Sequence, residues 1–158
     1  MNRGPEGEGR PVGRPELWGI ICVKRLRVLF ADDHEPLHAV IRRLVEPEFE
    51  LVSAVVDGLS LVNAAHQHHP EVMIVDIAMP EMNGIQAVRE ILRSIAKPAP
   101  AVVFLTTYNE QSLVEQALEI GAVGYVLKES AADHLLPALR AVLNGDSYLS
   151  PGVVSTAH

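Results

Sequence analysis

Short apolar runs alternate with helical patterns from residue 26 onward, and four of the runs stop on a charged or hydroxyl side chain. Val28-Leu29-Phe30-Ala31 is followed by Asp32-Asp33 and Val72-Met73-Ile74-Val75 by Asp76. Residues 101–105 are followed by Thr106, and residues 123–127 by Lys128. Runs apolar throughout suit central strands covered on both faces. Their alternation with helices predicts an α/β fold, one parallel sheet with right-handed crossovers and helices on both sides. Ligand sites in such sheets lie beyond the carboxyl ends of the strands, where strand order reverses. In the flavodoxin-like, doubly wound, five-stranded order 2-1-3-4-5, the first and third strands are neighbours, which predicts Asp32-Asp33 beside Asp76.

The stretches between the runs support this reading. Leu37, Val40, Ile41, Leu44 and Val45 recur at helical spacing over residues 36–46, and Pro47 ends that helix. Residues 51–56 are β-branched and predict a strand; Asp57-Gly58 predicts a turn, and Ser60 a cap for a helix reaching about residue 69. Asn83-Gly84 precedes a helix to about residue 95 with Ile85, Val88, Ile91 and Leu92 inward. Residues 110–120 form the fourth predicted helix, ended by Gly121, and residues 131–144 the fifth, ended by Gly145. Pro137 falls in the first two turns of the fifth, where its missing N–H predicts a distortion.

Bulk properties narrow the function. A chain of 158 residues suits one domain with a substantial core. A net charge of −7 argues against a large nucleic-acid surface, and no direct nucleic-acid binding is expected. The one cysteine, Cys22, excludes an internal disulfide and fits a reducing compartment. No apolar run approaches a membrane span, so no membrane partner is expected. Residues 17–23 are too short for a signal-peptide core, and Lys24-Arg25 follow rather than precede them. Ile21 before Cys22 is too large for a lipoprotein-type processing site. The cytoplasm is the default. Residues 1–15 are Gly- and Pro-rich with almost no apolar periodicity, and residues 1–25 are expected to be a disordered tail.

Three carboxylates, a hydroxyl and an ammonium at one sheet edge predict a phosphoryl-transfer site that needs a divalent cation. Two like charges about 4 Å apart at an effective dielectric near 20 repel by roughly 4 kcal/mol. A cation that accepts carboxylate and phosphate oxygens, such as Mg²⁺, removes that repulsion. Taken singly, each residue has a plainer role: an Asp at a strand end is usually a turn former or helix cap, and Asp32-Asp33 could cap the first helix. All of them converging without a cation would be costly. The histidines carry less. His34 and His38 are four apart and His66, His68 and His69 crowd one helix end, but zinc needs three or four converging ligands, so a solvated face is the reading. Met73, Met79 and Met82 are expected as core or loop filler.

The segments LRVLFADDHEP, VMIVDIAMPEMNG, VVFLTTYNE and GAVGYVLKES, in that order and at separations that fit, resemble the receiver domain of bacterial two-component response regulators. GAVGYVLKES and NGDSYLSP are similar to the NarL/FixJ (LuxR-type) subgroup. The resemblance implies a receiver domain over residues 26–146 and a linker start or C-terminal tail over residues 147–158. It implies that Asp76 accepts a phosphoryl group from a sensor histidine kinase. It further implies that Asp32, Asp33, Asp76 and the backbone carbonyl of Ala78 hold Mg²⁺ or Mn²⁺. Thr106 and Lys128 would contact the phosphoryl oxygens, Tyr125 would change rotamer with Thr106, and Ala78 and Tyr108 would tune hydrolysis. The expected output is a switched partner surface or homodimer on the fourth and fifth helices and fifth strand, and through it transcription; no enzyme activity is implied beyond self-catalysed phosphoryl transfer and loss.

Some residues depart from the family pattern. Glu129 follows Lys128 where many receivers have proline, and Ala78 has no side-chain donor. Nothing in residues 151–158 can fold as a DNA-binding domain, so a receiver fragment, a truncated product and a stand-alone receiver all stay open. A phosphatase of the haloacid-dehalogenase kind, the alternative enzyme, wants an acid where Ala78 stands. A phosphorylation-independent interaction domain is the other alternative.

Overall fold

The computed structural model describes residues 25–121 and 123–154. Residues 1–24 of the expected tail, with Trp18 and Cys22, lie outside them. The elements run β1 (Leu26–Ala31), α1 (Glu35–Val45), β2 (Phe49–Val55), α2 (Gly58–His68), β3 (Val72–Val75), α3 (Gly84–Ser94), β4 (Ala101–Thr106), α4 (Gln111–Glu119), β5 (Val123–Leu127), a 3-10 turn (Lys128–Ser130), α5 (Ala131–Leu143) and β6 (Tyr148–Leu149). All strand pairings are parallel, in the order β2-β1-β3-β4-β5-β6. The expected order of five strands holds. The sixth, two residues long, extends the sheet beside β5 and falls within the stretch that the sequence assigns to a linker or tail.

Successive strand side chains point to opposite faces, and the two faces carry different helices. Leu29, Met73, Val75, Phe104 and Tyr125 pack with Leu61 of α2, Val88 and Ile91 of α3, and Val114 of α4. Val28, Phe30, Ile74, Val103 and Val126 pack with Ile41 of α1 and Leu135 and Leu139 of α5. Both faces are therefore dry, which is why these strands read as continuous apolar runs. Burying one such Leu, Ile or Phe side chain contributes roughly 1.5–3 kcal/mol, so the two layers fix where each strand ends.

Local chemistry sets the helix ends. The α2 cap is Asp57, not Ser60: the Asp57 carboxylate accepts from the Ser60 N–H at 2.7 Å. Both are good cap formers, and the turn geometry decides between them. Asn83 and Gln86 form a reciprocal capping box at α3. α5 runs through Pro137 without interruption. The carbonyl that Pro137 cannot bond belongs to Asp133, which is exposed to solvent.

Candidate functional site

Strand register brings the polar side chains together. Ala31 pairs with Val75, so Asp32 and Asp76 follow at the same level on adjacent strands. Asp76 donates its N–H to the Ala31 carbonyl at 2.9 Å, and Asp32 donates its own to Val55 at 3.0 Å. Thr106 pairs with Leu127, which puts Lys128 just beyond it. The β3–α3 loop folds back over this edge at Gly84, whose N–H donates to the Ile77 carbonyl at 2.8 Å. A Cβ on residue 84 would lie 2.1 Å from the Asp76 carbonyl oxygen, so only glycine fits there.

Asp32 and Asp76 are buried, while Asp33 is exposed. One carboxylate oxygen from each lies within 4.8 Å of the others. The Lys128 ammonium stands 2.8 Å from Asp32 Oδ2 and donates to Asp76 Oδ2 at 3.2 Å. Asp32 Oδ2 nevertheless accepts no hydrogen bond of good geometry; its pairing with Lys128 is coulombic and off the bonding direction. Asp32 Oδ1 accepts from the His34 N–H at 2.7 Å, and Asp76 Oδ1 accepts weakly from the Ala78 N–H at 3.4 Å.

The electrostatics follow from that crowding. Burial first, and the neighbouring Asp32 charge second, raise Asp76 above the usual carboxylate range, although Lys128 pulls the other way. For Lys128, burial works to lower the pKa, but contact with Asp32 and the charges of both carboxylates outweigh it and hold the ammonium protonated. The set fits a hard divalent cation. Its donors are all oxygen, one buried carboxylate oxygen lacks a hydrogen bond, and an exposed third carboxylate opens the cluster to solvent.

The remaining predicted residues sit around this centre. Thr106 is buried, and its Oγ1 accepts from the Tyr108 N–H at 3.1 Å. Tyr125 is fully buried beside Phe104 and donates its hydroxyl to the Tyr108 carbonyl at 2.6 Å. Burial, then the charges of Glu110 and Asp76, push the Tyr125 phenol up to about 12. The Tyr108 side chain is exposed, and its backbone joins Thr106 to Tyr125. Met73 and Met79 are core, and Met82 packs against it.

Two features escape a sequence reading. His38, read as part of a solvated face, is half-buried: its ring edge meets Phe30 and its Nε2 lies 2.7 Å from the Asp32 backbone carbonyl. The i, i+4 relation to His34 carries no hint of that. Ser150 is buried and its Oγ accepts from the Leu127 N–H at 3.1 Å, one residue before Lys128. Among the described residues no histidine belongs to a grouping placed to hold a metal.

Comparison with known proteins identifies the family. The family described as "Response regulator receiver domain" matches residues 28–140. Transcriptional regulatory protein DegU of Brevibacillus brevis is 34% identical over 131 residues, 82% of this chain and 55% of the relative. Oxygen regulatory protein NreC of Staphylococcus carnosus is 29% identical over 134 residues, 83% of this chain and 61% of the relative. The chain thus spans somewhat over half the length of these relatives. A LuxR-family two-component response regulator from Aurantimonas sp. SI85-9A1 superposes with a TM-score of 0.75 at 28% identity, covering 82% of this chain and 93% of that one. The isolated REC domain of RcsB from Salmonella enterica serovar Typhimurium, solved in the presence of phosphomimetic BeF3-, gives 0.73 at 27% identity, covering 82% and 96%.

Proposed function

The chain belongs to the response regulator receiver family of the LuxR/NarL type, and from that premise we propose that Asp76 is its phosphoacceptor. The observation that supports this most is the Lys128 ammonium held between two buried carboxylates at a solvent-open sheet edge. A carboxylate oxygen of Asp76 attacks phosphorus of a phosphohistidine on a sensor kinase. The new bond is O–P, giving an acyl phosphate; the N–P bond breaks, and the imidazole nitrogen keeps the electron pair and takes a proton.

Asp32, Asp33, Asp76 and the Ala78 carbonyl would hold Mg²⁺ or Mn²⁺, which supplies charge neutralisation for the phosphoryl oxygens. Lys128 is poised to follow one phosphoryl oxygen as a mobile point charge. The Thr106 hydroxyl keeps a free proton, because its present bond uses only the oxygen as acceptor. By turning its side chain, and so giving up the Tyr108 N–H, it can donate that proton to a phosphoryl oxygen once one is there and report the modification. Ala78 brings no side-chain donor to orient a hydrolytic water, and Tyr108 holds the other tuning position. The chain does no chemistry on small substrates beyond gaining and losing its own phosphoryl group.

Its output is a change of the surface carried by α4, β5 and α5, expressed as homodimerisation and, in a longer regulator, as control of transcription in the cytoplasm. Among the described residues no helix is long and apolar enough to cross a membrane. Mass spectrometry after acetyl phosphate treatment tests the reading. We expect one acid-labile phosphoryl addition at Asp76 that needs Mg²⁺ and is absent in Asp76→Asn. Modification elsewhere, or none with Mg²⁺ present, would overturn it.

A further inference from the structure

Residues 148–154 cross from the sheet edge to the loop that follows Thr106, and two different attachments hold them. The first is buried. Ser150 donates its N–H to the Tyr125 carbonyl at 3.0 Å, and its Oγ accepts from the Leu127 N–H at 3.1 Å. Val153 packs against the core layer that contains Tyr125. The second is exposed. Asn109 donates from Nδ2 to the Gly152 carbonyl at 2.7 Å, and its Oδ1 accepts from the Val154 N–H at 2.7 Å. The amide orientation is fixed by its partners, because a backbone carbonyl can only accept and a backbone N–H can only donate. Gly152 adopts φ +89°, a left-handed conformation that glycine takes without strain, and so turns the segment towards Asn109.

We propose that this segment is a strap whose outer end is released when the site is occupied, with Asn109 as the clasp. The inference rests on the phosphoacceptor reading of Asp76. For the Thr106 hydroxyl to turn towards a phosphoryl group it gives up the Tyr108 N–H, and the Tyr108 carbonyl is also the partner of Tyr125. Asn109 is the next residue in the chain. Displacing Tyr108 therefore moves the Asn109 amide away from both strap contacts at once. Gly152 and Val154 are exposed, so water replaces the lost bonds at small cost, and the released state is accessible. The buried Ser150 bonds and the Val153 packing stay, so the strap opens only at its outer end, beyond Val153. The coupling must be reciprocal: a clasp that favours the resting loop opposes occupation of the site.

The experiment is amide hydrogen exchange of the full chain by NMR, with and without beryllofluoride and Mg²⁺. We expect the Val154 amide to exchange at least about fivefold faster with beryllofluoride, the loss of one solvent-facing bond, while the Leu127 amide held by Ser150 is unchanged. In Asn109→Ala the Val154 amide exchanges fast in both states, and beryllofluoride binds roughly fivefold tighter, the reciprocal of the clasp. Amide signals of Thr106 and Lys128 that shift while Val154 keeps its protection would overturn the strap and leave the site reading standing. No shift at any of these residues would overturn both.

Discussion

The Lys128 ammonium stands 2.8 Å from the Asp32 carboxylate, a contact between residues from opposite ends of the domain that only the parallel sheet brings together. It also bonds Asp76, so one cation balances two buried anions. Removing it leaves both carboxylates in low dielectric with each other for company. We expect Lys128→Met, of similar volume, to lose about 2–3 kcal/mol of stability at neutral pH without divalent cation. Urea unfolding should show the loss shrinking at acidic pH, where protonation removes the repulsion, and shrinking again with Mg²⁺. An equal loss at neutral and acidic pH would mean that Lys128 acts through its packing.

Asp76 carries the opposite balance. Burial and the Asp32 charge raise it above its ordinary value of 3.8. A carboxyl group raised on folding holds its proton longer folded than unfolded, so stability falls as pH climbs from the unfolded value through the folded one. Above that window the cation-free protein carries the whole penalty. Asp76→Asn cannot ionise, so we expect it to melt higher than the parent at neutral pH in chelator, with the gap closing below the ordinary carboxylate range. Mg²⁺ should stabilise the parent more than the variant. Thermal melts across pH check the sign; a variant that melts lower in chelator at neutral pH refutes it.

Much of this site was legible because parallel strands buried on both faces leave continuous apolar runs, and the residue after each run is then at the sheet edge. Asp32, Asp76, Thr106 and Lys128 were placed by that logic alone. What was not legible depends on contacts that have no period. The β6 strand has two residues, too short for any alternation, and depends on Ser150 reaching back to Leu127. Asp57 and Ser60 are both cap formers, and only backbone geometry selects Asp57. His38 lies on a polar-looking helix face, and its turn towards Asp32 follows from the packing of Phe30 beneath it.

Gly84 links the loop after the acceptor to the acceptor itself. A methyl group there would meet the Asp76 carbonyl oxygen at 2.1 Å, and neither backbone segment can yield without breaking the bond from Gly84 N–H to Ile77. Overpacking of this kind costs about 1–3 kcal/mol. We expect Gly84→Ala to lose stability at the upper end of that range, and to accept phosphoryl groups from acetyl phosphate more slowly because the Asp76 backbone shifts. Denaturant unfolding and phosphorylation time courses would separate the two effects. Parent-like behaviour in both would show that the loop has slack the geometry does not suggest.

The α2 cap gives a prediction that does not draw on the charges of the carboxylate cluster. The hydrogen bond from the Ser60 backbone N–H, more than any other contact, lowers the Asp57 pKa below the ordinary 3.8. A carboxylate lowered on folding stabilises the protein above its unfolded pKa, and the contribution is lost as pH falls through the folded value. Asp57 is half-buried and still open to solvent, so its charge is screened, and the cap itself is the larger part. We expect Asp57→Ala to cost about 1 kcal/mol at neutral pH. Asp57→Asn keeps an oxygen acceptor for Ser60 but no charge, so it should lose less. The parent's margin over Asp57→Asn should vanish in acid below the carboxylate range, whereas part of the deficit of Asp57→Ala remains, because a protonated carboxyl still accepts a hydrogen bond. Circular-dichroism melts of the three proteins at neutral and acidic pH decide it. A margin over Asp57→Asn that persists in acid would assign the effect to shape and not to charge.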